Sequence, residues 1–418
     1  LGGASFANEG LSKLTSTGAI QLGHAASGSG TSDFTANRYL YTAGFDLETR
    51  GTGGFTYFDG STGNLGIDTA TPSRPLDVVG TASIKDALNN TFITGGNETV
   101  TGTSNTAIGN QALLAVTTGI NNTAIGESAL GNSSGSYGTG IGYQTGLNNT
   151  GVTLTALGYL AGQNNTGGQV IAIGNSAGLG NTANNSIFIG QGAGKVNTGA
   201  ANIAVGQNAL VLNTSGANNF AFGNGALASN LIGDNNTAIG LNALTLNTAS
   251  SNTAIGAYSA TNNTTGIQNV YIGSSSGNSA TTGDYNTCIG YASGNTVTSS
   301  SKSTFIGWRA GDDVISGDDN TAFGYNSLTG VLTGTQNTIL GSDATTGSAT
   351  NNSIAIGYQA TASQDNQIVL GNTSITELTF NGTIVSKDYG LGNKEAADLT
   401  KTASGYGAAF ATDGTIIE

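Results

Sequence analysis

Large apolar residues recur along the chain at one fixed position, directly before a glycine, from residue 108 to residue 370. Of the sixteen steps between successive glycines, eight are 17 residues long, seven are 16 and the last is 14. A period this short and regular indicates a solenoid, in which each coil stacks on the one before it. The seventeen glycines stand at positions 109, 126, 142, 158, 174, 190, 206, 223, 240, 256, 273, 290, 307, 324, 341, 357 and 371.

The residue before the glycine is apolar in all seventeen coils, and we expect this apolar column to form the buried core. Apolar residues repeated in register stack like on like along a solenoid. Full burial would contribute ~1.5–3 kcal/mol per side chain, which makes the column the main stabilising term of each coil. The apolar column consists of Ile108, Ile125, Ile141, Leu157, Ile173, Ile189, Val205, Phe222, Ile239, Ile255, Ile272, Ile289, Ile306, Phe323, Leu340, Ile356 and Leu370.

Two positions earlier, on the same strand face, stands a second column that is Thr in ten coils and Ile, Val or Phe in seven. We expect this threonine column to be half buried. The residue between the two columns is mostly Ala and faces the other way, with Phe188, Tyr271 and Phe305 as exceptions. Smallness at that position predicts a close packing partner. Because a coil with so few large side chains would have a weak core alone, we expect a homotrimer that associates through the small-residue face.

The remaining positions of the coil predict turns. Asn stands four residues before the glycine in ten coils, where it suits the start of a strand because it tolerates left-handed backbone. The glycine itself is expected to have a positive φ or a backbone segment passing close by. Three residues after it comes Ala or Ser, with Thr145 as the exception, and then Leu or Gly, which predicts a corner with optional apolar fill. Polar loops complete the coil and absorb its changes in length.

The chain before the repeat divides into two predicted segments. Residues 1–65 form an N-terminal β-rich attachment or adaptor region, with strands at 38–41 and Gly54–Phe58. Residues 66–100 form a hairpin connector and a capping coil. The connector has strands at Leu65–Ile67 and 76–79 around a Pro-containing turn, and in the capping coil Ile93 takes the place of Ile108.

The β-roll repeat spans residues 101–372, and residues 373–418 form C-terminal strands and a tail. The two strands are predicted at 375–378 and 383–386. The tail is rich in Gly and Ala, and it ends in a processed terminus, a truncation or a natural stop.

Two stretches resemble known families. One is similar to the segment that precedes the shaft of bacteriophage tail-fibre proteins, and its matching residues are Gly66, Ile67, Thr69, Pro72, Leu76, Asp77, Val78 and Gly80. The repeat resembles the YadA-like head repeat of trimeric autotransporter adhesins, also found in phage tail fibres, as at residues 202–209 and 353–360. This resemblance implies a left-handed parallel β-roll of about 16–17 coils in a homotrimeric fibre. The chain shows neither a heptad stalk nor C-terminal membrane-anchor strands, which favours the viral version.

Composition changes this picture little. Charged residues make up only 8% of the 418 residues, and the net charge of −13 is distributed along the chain. The sequence has no basic patch, so we do not expect nucleic-acid binding. The sequence contains no run of 18 apolar residues, which a membrane-spanning helix would need, so we expect no membrane insertion. The 68 glycines follow no three-residue period, which excludes collagen.

Few residues offer chemistry. His24 is the single histidine and is expected on a surface loop, and the single cysteine, Cys288, stands in the small-residue column as a packed apolar group. The acid pairs 312–313 and 318–319 are either a Ca²⁺ site or, as we favour, solvated loop charges. Triplets of the type Asn-x-Ser/Thr, as at Asn121, follow from the repeat and leave glycosylation open. We therefore expect no catalytic residue, no metal site and no cofactor, and hence no enzyme.

Three functions stay open. The first is a structural fibre or adhesin, most simply a trimeric phage tail fibre or virion appendage that displays host-receptor-binding loops. Its partners would be two further copies, other fibre or virion proteins at one or both ends, and a host surface receptor or glycan. The second is the head of a bacterial cell-surface trimeric adhesin, which would also be extracellular. The third is a solenoid that binds ice or a crystalline polysaccharide through its threonine column.

Overall fold

The computed structural model describes residues 102–115 and 118–379 and, outside these ranges, the backbone of nine short strands. All the regular elements in the described residues are β-strands, and the chain folds as a parallel β-solenoid of about 16 turns. The strands before the repeat are β1 (Leu11–Ser12), β2 (Gln21–Leu22), β3 (Leu47–Gly51), β4 (Gly54–Phe58), β5 (Leu65–Ile67), β6 (Leu76–Val78) and β7 (Thr91–Ile93).

The strands of the repeat and of the tail are shorter than five residues. They are β8 (Thr106–Ile108), β9 (Thr123–Ile125), β10 (Thr139–Ile141), β11 (Leu154–Leu157), β12 (Val170–Ile173), β13 (Ser186–Ile189), β14 (Val196–Asn197), β15 (Ile203–Val205), β16 (Leu212–Asn213), β17 (Phe220–Phe222), β18 (Thr237–Ile239), β19 (Thr253–Ile255), β20 (Val270–Ile272), β21 (Thr287–Ile289), β22 (Thr304–Ile306), β23 (Thr321–Phe323), β24 (Thr338–Leu340), β25 (Thr345–Thr346), β26 (Ile354–Ile356), β27 (Thr361–Ala362), β28 (Ile368–Leu370), β29 (Ala409–Phe410) and β30 (Ile416–Ile417).

The N-terminal strands form two small sheets. Strands β1 and β2 are antiparallel, and β3, β4 and β5 pair antiparallel in a second sheet. The predicted strand Gly54–Phe58 is therefore confirmed, whereas 38–41 and His24 lie outside the described residues. Strands β5 and β6 pair in parallel, with Ile67 opposite Val78, so the predicted hairpin is wrong.

The repeat strands stack in parallel, in register, in each of the two compact units of the chain, residues 1–268 and 269–418. In the first unit the ladder runs through β7, β8, β9, β10, β11, β12, β13, β15, β17, β18 and β19. In the second it runs through β20, β21, β22, β23, β24, β26 and β28. Ile93 pairs with Ile108, as predicted for the capping coil. Two coils of each unit add a second short strand pair, β14 with β16 and β25 with β27.

The inside of the coil is the face opposite to the one predicted. The residues of the small-residue column from Ala107 to Ala355 are buried, whereas no member of the apolar column is buried. The predicted core is therefore wrong for the single chain. The exposed members are Ile141, Ile173, Ile189, Phe222, Ile255, Phe323, Leu340, Ile356 and Leu370, and the half-buried ones are Ile108, Ile125, Leu157, Val205, Ile239, Ile272, Ile289 and Ile306. A 16–17-residue coil encloses a narrow interior, and a strand's two-residue period fits either face equally.

The narrow interior is filled by compensating volumes. Where the small-residue column holds Ala, as at Ala107, the second corner position often holds a fully buried Leu, here Leu113. Where it holds Phe305, that corner position is Gly311, and a Cβ built there would lie 2.6 Å from the Phe305 ring. The same exchange occurs at Phe188 and Tyr271. The aromatic exceptions noted in the sequence are thus buried alternatives to the Ala and Leu pair.

Buried asparagines link coil to coil. Asn236 accepts the backbone N–H of Asn252 at its Oδ1 (2.9 Å) and donates from Nδ2 to the Ala249 carbonyl (2.8 Å). The left-handed residue is the one before it, Asn235, with φ 58°. The predicted turn role of this column is therefore wrong, since the side chain bonds the next coil instead of its own turn. Each amide supplies a donor and an acceptor that the buried interior needs.

The repeat glycine meets both conditions expected of it. At Gly109 the φ is 128°, and an added Cβ would lie 2.7 Å from the Gly126 carbonyl oxygen of the next coil. Towards the C-terminus the strand predicted at 375–378 does not form, and these residues are exposed. The strand predicted at 383–386 lies outside the described residues.

Candidate functional site

The candidate functional surface is the outer face of the parallel sheet, formed by the apolar column and the threonine column. We call it the outer face. Several of its aromatic and branched side chains are exposed to solvent, with Phe222 50% exposed and Phe323 53% exposed. Parallel in-register pairing repeats this arrangement in every coil, for example Phe323 beside Leu340. The result is an apolar ridge along each compact unit.

The threonine column lies beside this ridge and is half-exposed. In the second unit Thr287, Thr304, Thr321 and Thr338 occupy four successive strands in register. Thr321 and Thr338 are exposed, and the other two are half-buried. A β-branched hydroxyl column beside an apolar column makes the outer face amphipathic across its width, while it stays uncharged throughout.

An uncharged apolar surface of this length is unusual on a protein chain in water. Monomeric proteins rarely expose contiguous apolar patches larger than a few hundred Å², and larger ones mark interfaces. Burial of the apolar column would remove that surface from water and would stabilise the buried state by about 25 cal/mol per Å². The prediction that chains associate through the small-residue face is wrong, because that face lines the coil interior and its residues are buried.

Cys288 lies in the small-residue column, as predicted, and is fully buried. It pairs in the ladder with Tyr271 on one side and Phe305 on the other. Burial raises the pKa of the Cys288 thiol well above its ordinary value, and it also raises that of Tyr271. A thiol held protonated inside the coil cannot act as a nucleophile.

The acid pairs serve the loops. Asp312 Oδ2 accepts a hydrogen bond from Arg309 Nε at 2.6 Å, and Asp313 Oδ2 accepts the N–H of Gly330 at 2.9 Å. Asp318 Oδ1 accepts the N–H of Ser301 at 2.8 Å. Within residues 102–115 and 118–379, no three His, Cys, Asp or Glu side chains gather where a metal ion could bind. The prediction of solvated loop charges agrees with the exposed Asp318 and Asp319, but it is wrong for Asp312, whose side chain is buried beside Arg309.

An aromatic ladder was missed by the sequence reasoning. Tyr291, Trp308 and Tyr325 each follow a repeat glycine, and their rings stack with centroids 6.0 and 4.7 Å apart and planes within 16° of parallel. The Arg309 guanidinium lies 5.3 Å from the Trp308 ring. Tyr143 and Tyr159 form a similar pair in the first unit. The signal was available, because all five aromatic residues occupy the same position of the repeat.

An open groove with a volume of about 260 Å³ lies in the first unit. It is lined by Val152, Thr153, Gly168, Gln169, Asn184 and Asn185. The lining carries no acid, base or nucleophile, whereas hydrolysis of a glycan needs a pair of carboxyl groups across the bond.

Neither the family models nor the curated proteins with which the chain was compared match it. Among the described residues no helix reaches the length and apolar character that crossing a membrane requires.

Proposed function

We propose that the chain is a subunit of a structural fibre or adhesin, and most simply of a trimeric tail fibre or appendage of a phage. The observation that carries the proposal is the outer face, an uncharged apolar ridge repeated in register through both compact units. Such a ridge needs a partner of the same length and period, and a second copy of the chain supplies both. The resemblance to YadA-like head repeats favours three copies around one axis and a left-handed coil.

The proposed fibre acts by rigid display. Three copies that bury their outer faces leave the polar loops on the outside, where each loop appears three times at the same height. Repetition converts weak single contacts into useful avidity for a host surface receptor or glycan. The ends of the chain would join other fibre or virion proteins, and the assembly would be extracellular.

Labelling of intact particles tests this proposal. Antibodies raised against the purified chain, coupled to gold, are applied to virions and to host cells and viewed by electron microscopy. Gold on tail appendages supports the tail fibre, and gold confined to the cell envelope supports the bacterial adhesin instead. Gold on neither structure would contradict the proposal that the chain is a displayed fibre subunit.

The outward direction of the threonine column favours one second candidate, a solenoid that binds ice or a crystalline polysaccharide. Four threonines in register present hydroxyl and methyl groups at a spacing of about 4.8 Å, the separation of paired strands. This function needs the outer face free, so it excludes burial of that face in a trimer. Thermal hysteresis of the purified chain, or its retention on crystalline cellulose or chitin, would support it. A trimer that shows neither would reject it.

A further inference from the structure

The aromatic ladder of the second unit has a missing rung. Residues that follow the repeat glycine in five successive coils are Tyr291, Trp308, Tyr325, Ser342 and Tyr358. Backbone bonds keep them in register, since Asp343 N–H donates to the Tyr325 carbonyl (2.9 Å) and Gln359 N–H donates to the Ser342 carbonyl (3.0 Å). Ser342 therefore stands between two tyrosines, directly after three coils that carry a ring at this position.

The height of this Ser342 gap suits one six-membered ring. Paired strands are ~4.8 Å apart, so Tyr325 and Tyr358 stand on backbones ~9.6 Å apart. A ring placed midway would lie ~4.8 Å from each tyrosine level. The rings of Trp308 and Tyr325 are already separated by 4.7 Å, which shows that this spacing gives stacking contact in the same ladder.

Both tyrosines are open to a ligand. Tyr325 is 53% exposed and Tyr358 is 60% exposed. Trp308 covers one face of Tyr325, and the other face of that ring points towards the Ser342 level. The ladder therefore ends in an aromatic face that no side chain of the next rung covers.

Polar groups lie at the base of the gap. The Ser342 hydroxyl donates to Asp343 Oδ2 at 3.2 Å, and Asn326 Nδ2 donates to Asp343 Oδ1 at 3.0 Å. The carboxylate is thus held in place beside the gap by two side chains. It retains lone pairs that can accept hydrogen bonds from a ligand hydroxyl.

We propose that the Ser342 gap binds a hexopyranose ring between Tyr325 and Tyr358. A pyranose carries C–H groups on its faces, which suit the negative faces of aromatic rings, and hydroxyls at its rim, which suit Ser342 and Asp343. A planar aromatic side chain would fill the gap but would offer no hydroxyl to the remaining lone pairs of Asp343. The inference rests on the proposed function, because it gives the chemical class and position of the displayed receptor-binding group.

The experiment uses the full-length chain and methyl glycosides as probes. Saturation-transfer difference NMR is recorded with methyl α- and β-glycosides of glucose, galactose, mannose and N-acetylglucosamine. Fluorescence of Trp308, the single tryptophan, then gives the Kd. A single sugar in an open gap is expected to bind with a Kd on the order of 1–10 mM.

Three substitutions at the same repeat position separate binding from folding. Ser342→Tyr completes the ladder and is expected to keep the melting temperature while weakening sugar binding at least ~tenfold. Ser274→Tyr is the matched control, since it adds a ring beside the outer end of the ladder and leaves the gap open. It should bind like the wild type. Tyr358→Ala removes one wall and should also raise the Kd about tenfold or more.

Three results would overturn the inference: no saturable signal with any of these glycosides up to ~100 mM, unchanged binding in Ser342→Tyr, or unchanged binding in Tyr358→Ala. The mass of the assembly is measured on the same samples. A trimer that binds no sugar would contradict sugar binding in the Ser342 gap but would agree with the proposed fibre. A monomer that binds sugar rejects the fibre and leaves the gap standing.

Discussion

Single positions inside the coil are coupled by volume. Gly194 follows the corner of the coil that contains Phe188, and a Cβ at Gly194 would overlap the Phe188 ring. Protein interiors are close-packed, so a methyl group added there must displace the ring or the backbone. A large side chain at one of these two positions is thus matched by a small one at the other, as in Ala107 with Leu113 and Phe188 with Gly194.

Replacement of Gly194 by Ala is the first prediction. We expect Gly194→Ala to lower stability by about 2–5 kcal/mol, from overpacking against Phe188 and from a Cβ at φ 55°. Gly330→Ala is the matched control, because its φ of 76° is also positive but no atom lies within 4 Å of an added Cβ. It should cost only about 1–2 kcal/mol. Equal melting temperatures for the two variants would contradict the packing argument.

A second prediction concerns alkaline pH. Burial raises the pKa of Cys288 in the folded chain, so the unfolded chain loses that thiol proton first, above pH ~8.5. The stability held by the neutral thiol is present below this pH and is lost as pH rises, by up to ~1.4 kcal/mol per pH unit. Tyr271 adds a like loss only above pH ~10. Urea unfolding of Cys288→Ala should therefore show a flatter decline from pH ~8.5 to ~10. The same slope in both proteins would contradict this.

At the scale of the element, the strand and its asparagines explain what the sequence could and could not predict. The coil length, the strand positions and the parallel stacking all followed from the glycine period. The inside of the strand did not, because Ala254 and Ile255 alternate, and alternation alone fits either face. Large apolar residues were assigned to the interior by the usual hydrophobic rule, which fails here because the narrow coil interior is filled by the small-residue column.

One feature of the sequence indicates which face of the strand points into the coil. In the coils of Phe188, Tyr271 and Phe305, the corner residue six positions later is Gly194, Gly277 and Gly311. That exchange is required only if both positions point into the same closed interior. The outer face then follows by elimination. The aromatic ladder and the Ser342 gap are less apparent in the sequence, because the residue after the glycine varies in size and polarity from coil to coil.

The third prediction addresses a buried asparagine ladder. Asn181 donates from Nδ2 to Asn165 Oδ1 and accepts at its own Oδ1 from Asn197 Nδ2, both at 2.8 Å. Asn181→Ala should lower stability by about 2–3 kcal/mol, because two buried amides lose a partner. Asn132→Ala is the control, since Asn132 makes a similar bond to Asn148 on the exposed surface. It should change stability by less than ~0.5 kcal/mol, measured by urea unfolding. A similar cost for both variants would show that burial of the ladder is not the cause.

At the scale of the whole molecule, the outer face connects the fold to the proposed fibre. The apolar column and the threonine column that form this face contain no charged residue, in a chain whose charged content is only 8%. The net charge of −13 is carried elsewhere, as at Asp318 and Asp319 in a loop. The sequence resembles a trimeric repeat, but only the structure of the coil shows which face is outside and therefore able to join chains.

The fourth prediction compares neighbouring strand residues whose side chains point to opposite faces of the sheet. Ala254→Asp places a charge in the closed interior and should abolish native circular dichroism or lower the melting temperature strongly. The triple variant Phe222→Asp, Ile239→Asp and Ile255→Asp changes only the outer face. It should keep the β-sheet spectrum and reduce the mass of the assembly, because three charges per chain oppose burial of that face. A triple variant that unfolds as Ala254→Asp does would contradict the assignment of the two faces.

The molar mass of the wild-type chain tests the central claim most directly. Light scattering coupled to size exclusion at micromolar concentration should give about 124 kDa, three times the chain mass of 41.3 kDa. A mass of 41.3 kDa that persists as the concentration is raised would contradict burial of the outer face between copies of the chain.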